Sequence, residues 1–148
     1  MGVHLGLNSL NNFQGGGERF DLNDGIRFFN AVEYSLHWLE ANSEAINRLN
    51  VYPVPDGDTG TNMVLTLRAA VREAGESGSS DVKGVAVALG RGALLGARGN
   101  SGVILSQILR GFSEGLSDSC ELGVLEFASA LAAAAEVAYQ AVTDPVEG

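Results

Sequence analysis

The stretch that decides the fold is Val103–Leu116, with the sequence Val-Ile-Leu-Ser-Gln-Ile-Leu-Arg-Gly-Phe-Ser-Glu-Gly-Leu. Its apolar residues recur at steps of three and four, at Leu105, Leu109, Phe112 and Leu116. On a helix this spacing forms one apolar stripe, while the serine, glutamine and arginine side chains lie off the stripe. Since burying such a stripe requires a neighbour, the stretch predicts a helix that packs against other helices.

The same periodicity recurs along most of the chain, and no segment alternates with a period of two over a convincing length. Ser43 is a residue type that favours helix N-caps, so it predicts a separate short helix that ends near Leu49. The pattern therefore predicts an all-α fold in which the helices pack as a bundle. The six expected helices begin near Asp24, Ser43, Met63, Val82, Val103 and Leu122.

Composition excludes several classes of function. The chain has 148 residues, the length of one domain, and a net charge of −9. Such acidity argues against nonspecific binding to nucleic acid or to an anionic membrane surface, because both need Lys and Arg. Cys120 is a single cysteine, so it excludes a disulfide scaffold, and two histidines are too few for an ordinary zinc site. Without an apolar span or a signal-peptide pattern, the expected location is the cytoplasm.

Residues 1–23 differ from the rest of the chain, since they are rich in asparagine and glycine. We expect them to form a flexible leader or a tag-like segment, and residues 24–148 to form the folded domain.

A first motif, Pro53–Met63, places two carboxylates, Asp56 and Asp58, on either side of Gly57 in a loop that opens a helix. Carboxylates this close repel each other unless a cation compensates, and Mg²⁺ prefers carboxylate and phosphate oxygens. The alternative is simple capping of the helix, although one aspartate is enough for a cap. The motif predicts a magnesium site, and an EF-hand is excluded because Leu67 stands where its glutamate should be.

A second motif, Gly90–Gly102, contains five of the 20 glycines of the chain, whose glycine content is about twice the usual ~7%. Its end, Gly99–Gly102, exposes backbone N–H groups at a helix start, where an anion is favoured. Asn100 and Ser101 add side-chain donors and Arg98 adds a positive charge. The alternative is a helix–helix turn with Ser101 as its N-cap and glycines that permit close packing. A metal site beside an anion site predicts a nucleotide site, and Mg²⁺ allows an acidic protein to bind ATP.

The segments 50–63 and 96–112, which contain the first motif and the end of the second, resemble the N-terminal kinase domain of bacterial fatty acid kinase, its ATP-binding component. That domain is similar to the L subunit of dihydroxyacetone kinase, and the resemblance runs from about Asp24 to Gly148. It implies an up-and-down barrel of eight helices with the nucleotide at one end. It also implies an enzyme, a kinase that uses ATP and two Mg²⁺ ions.

The resemblance implies roles for individual residues at both motifs. The metal ligands and catalytic carboxylates are Asp56 and Asp58, while Asn50 is a further metal ligand next to Val51, where the L subunit has an aspartate. Arg98 is expected to act in catalysis. The residues expected around the phosphates are Thr59, Thr61, Asn62, Gly99, Asn100, Ser101 and Gly102.

In the fatty acid system a separate carrier protein presents the acyl chain, and the product is an acyl phosphate. Two alternatives are an activity like that of the dihydroxyacetone (glycerone) kinase L subunit and a non-catalytic nucleotide-binding module. The family sequence continues beyond the segment that Asp144–Gly148 resembles, so we expect a C-terminally truncated domain. A homodimer would form through regions outside this chain.

Other chemically notable residues are assigned structural roles. Trp38, Phe28 and Phe29 are expected in the core, and Glu126 and Glu136 are expected to be exposed to solvent. Cys120 and His37 are expected to take no part in catalysis.

Overall fold

A computed structural model describes residues 25–51, 55–117 and 122–142, and within those ranges it contains five helices and no strand. The prediction of an all-α fold is therefore confirmed. None of the helices in these ranges is long and apolar enough to cross a membrane. The expected leader, Cys120 and Asp144–Gly148 lie outside the described residues. The helices are α1 (Gly25–Leu49), α2 (Thr59–Glu76), α3 (Val82–Gly96), α4 (Gly99–Gly115) and α5 (Val124–Gln140).

The prediction of a separate helix at Ser43 is wrong, and it accounts for the difference between six expected helices and the five in the described residues. The helix α1 runs through Ser43 without a break. The Ser43 hydroxyl donates to the carbonyl of Glu40 at 3.0 Å, so it turns back onto its own helix and caps no N–H group. The helix α4 also begins at Gly99, earlier than the expected Val103.

Three contacts at the helix ends establish an up-and-down arrangement. The backbone N–H of Gly25, at the start of α1, donates to the carbonyl of Ser80, just before α3, at 3.0 Å. The Ser101 hydroxyl, in the first turn of α4, donates to the carbonyl of Thr59 at the start of α2, at 3.2 Å. Asn47, near the end of α1, bonds to Thr61. The helices α2 and α4 therefore begin at the same end of the bundle, beside the end of α1.

The core consists of two apolar clusters. The larger cluster contains residues of α1, α2, α3 and α4, among them Leu36, Leu67 and Leu89. The smaller cluster contains residues of α3, α4 and α5 around Phe112. The Phe112 ring stacks on that of Phe28, with centroids 5.7 Å apart and planes 8° from parallel. These positions confirm the predicted apolar stripe of α4, whose Leu105, Leu109, Phe112 and Leu116 all pack in the two clusters.

Of the aromatic residues expected in the core, Phe28 and Phe29 pack against it, whereas Trp38 is 70% exposed. The prediction for Trp38 is wrong because Leu36 and Leu39 occupy the buried face of α1, which leaves residue 38 on its outer side.

Glycines in the second motif bring the helices close together. Gly90, Gly92 and Gly96 lie within α3, where no phosphate loop exists. A Cβ at Gly92 would lie 2.7 Å from the Ala69 carbonyl oxygen and 2.9 Å from the Ala70 Cα, both on α2. For these three glycines, the alternative of close helix packing is the one that the structure supports.

Replacing Gly92 by alanine is expected to destabilise the protein by about 1–3 kcal/mol, because the new methyl group meets backbone atoms that cannot move aside. The matched control is Gly75→Ala in α2, where a Cβ would lie 3.6 Å from Phe29 in ordinary contact. That variant should be stabilised by about 0.5 kcal/mol through its better helix propensity. Urea denaturation of both variants measures the difference, and equal stabilities would contradict the close-packing role.

Candidate functional site

Both predicted motifs lie at the end of the bundle where α2 and α4 begin. The aspartates of the first motif precede Thr59, the first residue of α2, and Gly99 opens α4. Their first turns are in direct contact through the hydrogen bond from Ser101 to Thr59. The fold therefore brings together two segments about 40 residues apart, which sequence reasoning had paired on chemical grounds alone.

Three glycines allow the helices to approach closely at this end of the bundle. A Cβ at Gly60 would overlap the carbonyl of Ser43 in α1, and one at Gly102 would overlap the hydroxyl of Thr66. Gly99 has a φ of +57°, which favours glycine, and a Cβ there would overlap the side-chain amide of Asn62. These glycines of the two motifs thus permit the backbone conformation and the close packing of the helices at this end of the bundle.

Two polar residues that the sequence reasoning missed hold the site together. Asn47 accepts a hydrogen bond from the Thr61 N–H at 3.1 Å and donates to the Thr61 hydroxyl at 3.0 Å, so α1 caps part of α2. The fully buried Thr66 hydroxyl donates to the Asn62 carbonyl at 2.8 Å and accepts from the Arg98 N–H at 3.1 Å. The position of the Thr66 hydroxyl next to the apolar stripe of α2 was a sequence signal that could have identified this residue as a buried hydrogen-bonding group. The sequence around Asn47 contains no comparable signal.

Simple capping does not explain the polar residues of the motifs. The Asp58 carboxylate makes no cap hydrogen bond to α2, and no side chain caps α4 at Arg98. By contrast, Asp81 caps α3 by accepting from the Gly84 N–H at 2.7 Å. Ser101 lies inside the first turn of α4 and donates to Thr59, so it is not an N-cap. Apart from the Thr61 N–H, which Asn47 caps, no described side chain caps the positive ends of these two helix dipoles, and such ends favour an anion.

The two aspartates are exposed and lie in the loop before α2, where Gly57 adopts a φ of +66°. Asp56 accepts a hydrogen bond from the side-chain amide of Asn50 at 2.6 Å. Residues 25–51, 55–117 and 122–142 contain no group of three or more His, Cys, Asp or Glu that could hold a metal. The donor set is therefore two carboxylates and one amide oxygen, which fits Mg²⁺ because this ion completes its shell with water and phosphate oxygens.

Arg98 stands at the border of the site. Its backbone N–H is bound by Thr66, and its side chain lines a groove between α2 and α3. Residues elsewhere lie apart from this end: His37 and Glu136 are exposed, and Glu126 is partly buried in the first turn of α5.

Comparison with known proteins shows which family and which relatives the chain is similar to. Residues 53–148, which contain both motifs, match the DAK2 domain family. Protein YloV of Bacillus subtilis (strain 168) is 49% identical to this chain over 125 residues, 84% of the chain. An uncharacterized protein of Staphylococcus epidermidis is 47% identical and one of Staphylococcus haemolyticus 46% identical, both over 125 residues and 84% of the chain. The matched region is 23% of each relative's length.

Thr66→Val is expected to lower the free energy of unfolding by about 1–3 kcal/mol, because an isosteric apolar side chain cannot accept the hydrogen bond from the Arg98 N–H, just before α4, or donate to the Asn62 carbonyl. Ser35→Ala is the control, since it removes an exposed hydroxyl that donates to Ala31 at 2.8 Å within one helix. That change should stay within about 0.5 kcal/mol. Chemical denaturation compares the two, and a Thr66→Val variant as stable as the control would argue against this link.

Proposed function

The chain belongs to the DAK2 domain family, a kinase-related family, and we propose on that premise that it binds ATP with Mg²⁺ and transfers the γ-phosphoryl group. The observation that carries the proposal is the meeting of two open helix N-termini with two adjacent carboxylates at one end of the bundle. The helix termini favour the anion and the carboxylates favour its cation, so the site suits a metal-bound phosphate compound.

The phosphate groups would lie against the first turn of α4. Within the described residues, the N–H groups of Gly99, Asn100 and Ser101 have no backbone acceptor, because the first bond of the helix runs from Gly102 to Arg98 at 3.0 Å. In the first turn of α2, the Thr59 N–H likewise has no backbone acceptor among the described residues, whereas Gly60 is buried against Ser43. Thr61 and Asn62 support these turns through their bonds to Asn47 and Thr66.

Asp56, Asp58 and Asn50 would hold Mg²⁺, which would neutralise the charge that builds on the transferred group. Two ions would bring a charge of about +4 to match about −4 on ATP. The Asn50 amide already orients Asp56 through its N–H, which leaves its oxygen available as a ligand. Arg98 would contribute positive charge from the border of the site.

For the acceptor we propose the carboxylate of a fatty acid presented by a carrier protein. A carboxylate oxygen would attack the γ-phosphorus, a new P–O bond would form, the bond to the bridging β–γ oxygen would break, and ADP would leave. An ionised carboxylate has no proton to lose, so both aspartates can remain with the metal. A hydroxyl acceptor, as in dihydroxyacetone, would have to give up a proton to a base. The resemblance of the first motif to fatty acid kinase supports the same choice.

The chain spans 23% of the length of the relatives that it matches. The acceptor, the carrier protein, a homodimer and the division into a leader at 1–23 and a domain at 24–148 are therefore proposals for the whole protein.

Mg-ATP is expected to stabilise the chain by about 2–3 kcal/mol at a concentration on the order of 100 times Kd, and Asp56→Ala or Asp58→Ala should abolish this gain. Glu76→Ala, which removes a negative charge at the far end of α2, is the matched control and should keep it. Thermal unfolding with Mg-ATP, ATP plus EDTA, and Mg²⁺ alone separates the contributions. An unchanged shift in both aspartate variants would overturn the metal assignment.

Phosphoryl transfer distinguishes a kinase from a binding module. With Mg-ATP, a fatty acid and its carrier protein, the full-length protein should form an acyl phosphate that hydroxylamine traps as a hydroxamate. Dihydroxyacetone is the comparison acceptor. Nucleotide binding without transfer to either acceptor would favour the non-catalytic alternative.

A further inference from the structure

A second concave surface lies between α2 and α3, on the outer side of the bundle. We call it the α2–α3 groove and define it by its lining residues Leu65, Arg68, Ala69, Arg72, Leu95 and Arg98. Its volume is about 420 Å³, within the range of ~300–1,000 Å³ typical of small-molecule sites. Neither Asp56 nor Asp58 lines it, so the groove is distinct from the proposed metal site.

The groove concentrates positive charge on an acidic protein. The chain has 9 Lys and Arg residues and a net charge of −9, yet three of its arginines line this one surface. Arg68 is paired with Glu40 at 2.6 Å. The Arg72 and Arg98 side chains form no hydrogen bond or ion pair with other described residues, and the lining residue Glu73 pairs with Arg91 at 3.4 Å. Two unpaired guanidinium groups beside one groove favour an anionic ligand.

The remainder of the groove is apolar. Leu65 is 41% exposed and Leu95 is 73% exposed, although both are large hydrophobic side chains on a well-packed pair of helices. Gly92 and Gly96 also line the groove, at the place where α3 packs closely against Ala69 of α2. Contact with a ligand would remove the two leucines from water, and this favours a ligand with an apolar body.

We infer that the α2–α3 groove binds a small organic anion with a carboxylate or phosphate monoester head and a short apolar chain. The head pairs with Arg72 and Arg98, and the chain covers Leu65 and Leu95. This inference goes beyond the proposed phosphoryl transfer, because the ligand binds without nucleotide. Arg98 belongs to both surfaces, since it lines the groove and directly precedes the first turn of α4.

The test titrates the 148-residue chain, without nucleotide or Mg²⁺, with hexyl phosphate and hexanoate, and with inorganic phosphate for comparison. Binding is followed by two-dimensional NMR of the backbone amides. At least one amphiphile should bind with a Kd on the order of 1 mM and more tightly than inorganic phosphate. Arg72→Gln should weaken that binding by about threefold or more, the size expected for an exposed charge pair.

Two further variants assign the effect to the groove. Leu95→Asn should weaken binding of the amphiphile and leave inorganic phosphate unchanged. Arg48→Gln makes the same charge change on α1, at an arginine 3.9 Å from Glu44, and should leave all affinities unchanged. The NMR spectra also show that each variant is folded.

The inference is overturned if neither amphiphile binds at about 10 mM, if inorganic phosphate binds equally well, or if Arg48→Gln weakens binding as much as Arg72→Gln. Because Mg-ATP is absent, these results are independent of the Asp56 and Asp58 experiments. A failure of the groove is therefore distinguishable from a failure of the nucleotide site.

Discussion

The site depends on the buried hydroxyl of Thr66, which joins the two helices that form it. By donating to Asn62 within α2 and accepting from Arg98 ahead of α4, this hydroxyl fixes where α4 begins. Gly102 packs directly against it, so the two first turns meet without a side chain between them. Because a buried hydroxyl needs hydrogen-bond partners, this pairing favours one alignment of the helices. The open N-termini beside the aspartates are its consequence.

The distribution of charge explains how an acidic chain could receive anions. The net charge of −9 sets the electrostatic potential far from the protein, whereas binding depends on the charged and polar groups at the binding surface itself. At the helix ends these groups are uncapped N–H donors, and the carboxylates next to them would bring their own cation. In the α2–α3 groove they are the guanidinium groups of Arg72 and Arg98, which have no partner among the described residues. The excess of acidic residues therefore limits nonspecific partners without excluding anionic ligands at these two surfaces.

The sequence predicted the all-α fold and the starts of α1, α3 and α5 to within two residues, since apolar spacing is a local property that the core preserves in Leu67, Phe112 and Leu116. It failed at Ser43, where a possible cap turned back onto its own helix, and at Trp38, where the smaller leucines took the buried face. Both outcomes depend on what packs against α1.

The sequence by itself determined the helical class, the acidic loop before α2 and the glycine-rich start of α4, because residue type and spacing encode them directly. Only the tertiary structure decided that Gly90, Gly92 and Gly96 serve helix packing, that Asp58 and Ser101 are not caps, and that Asn47 reaches from α1 to Thr61. The physical reason is that these functions depend on distances between segments far apart in the chain. Local propensity sets a residue's options, and the neighbouring helix selects one of them.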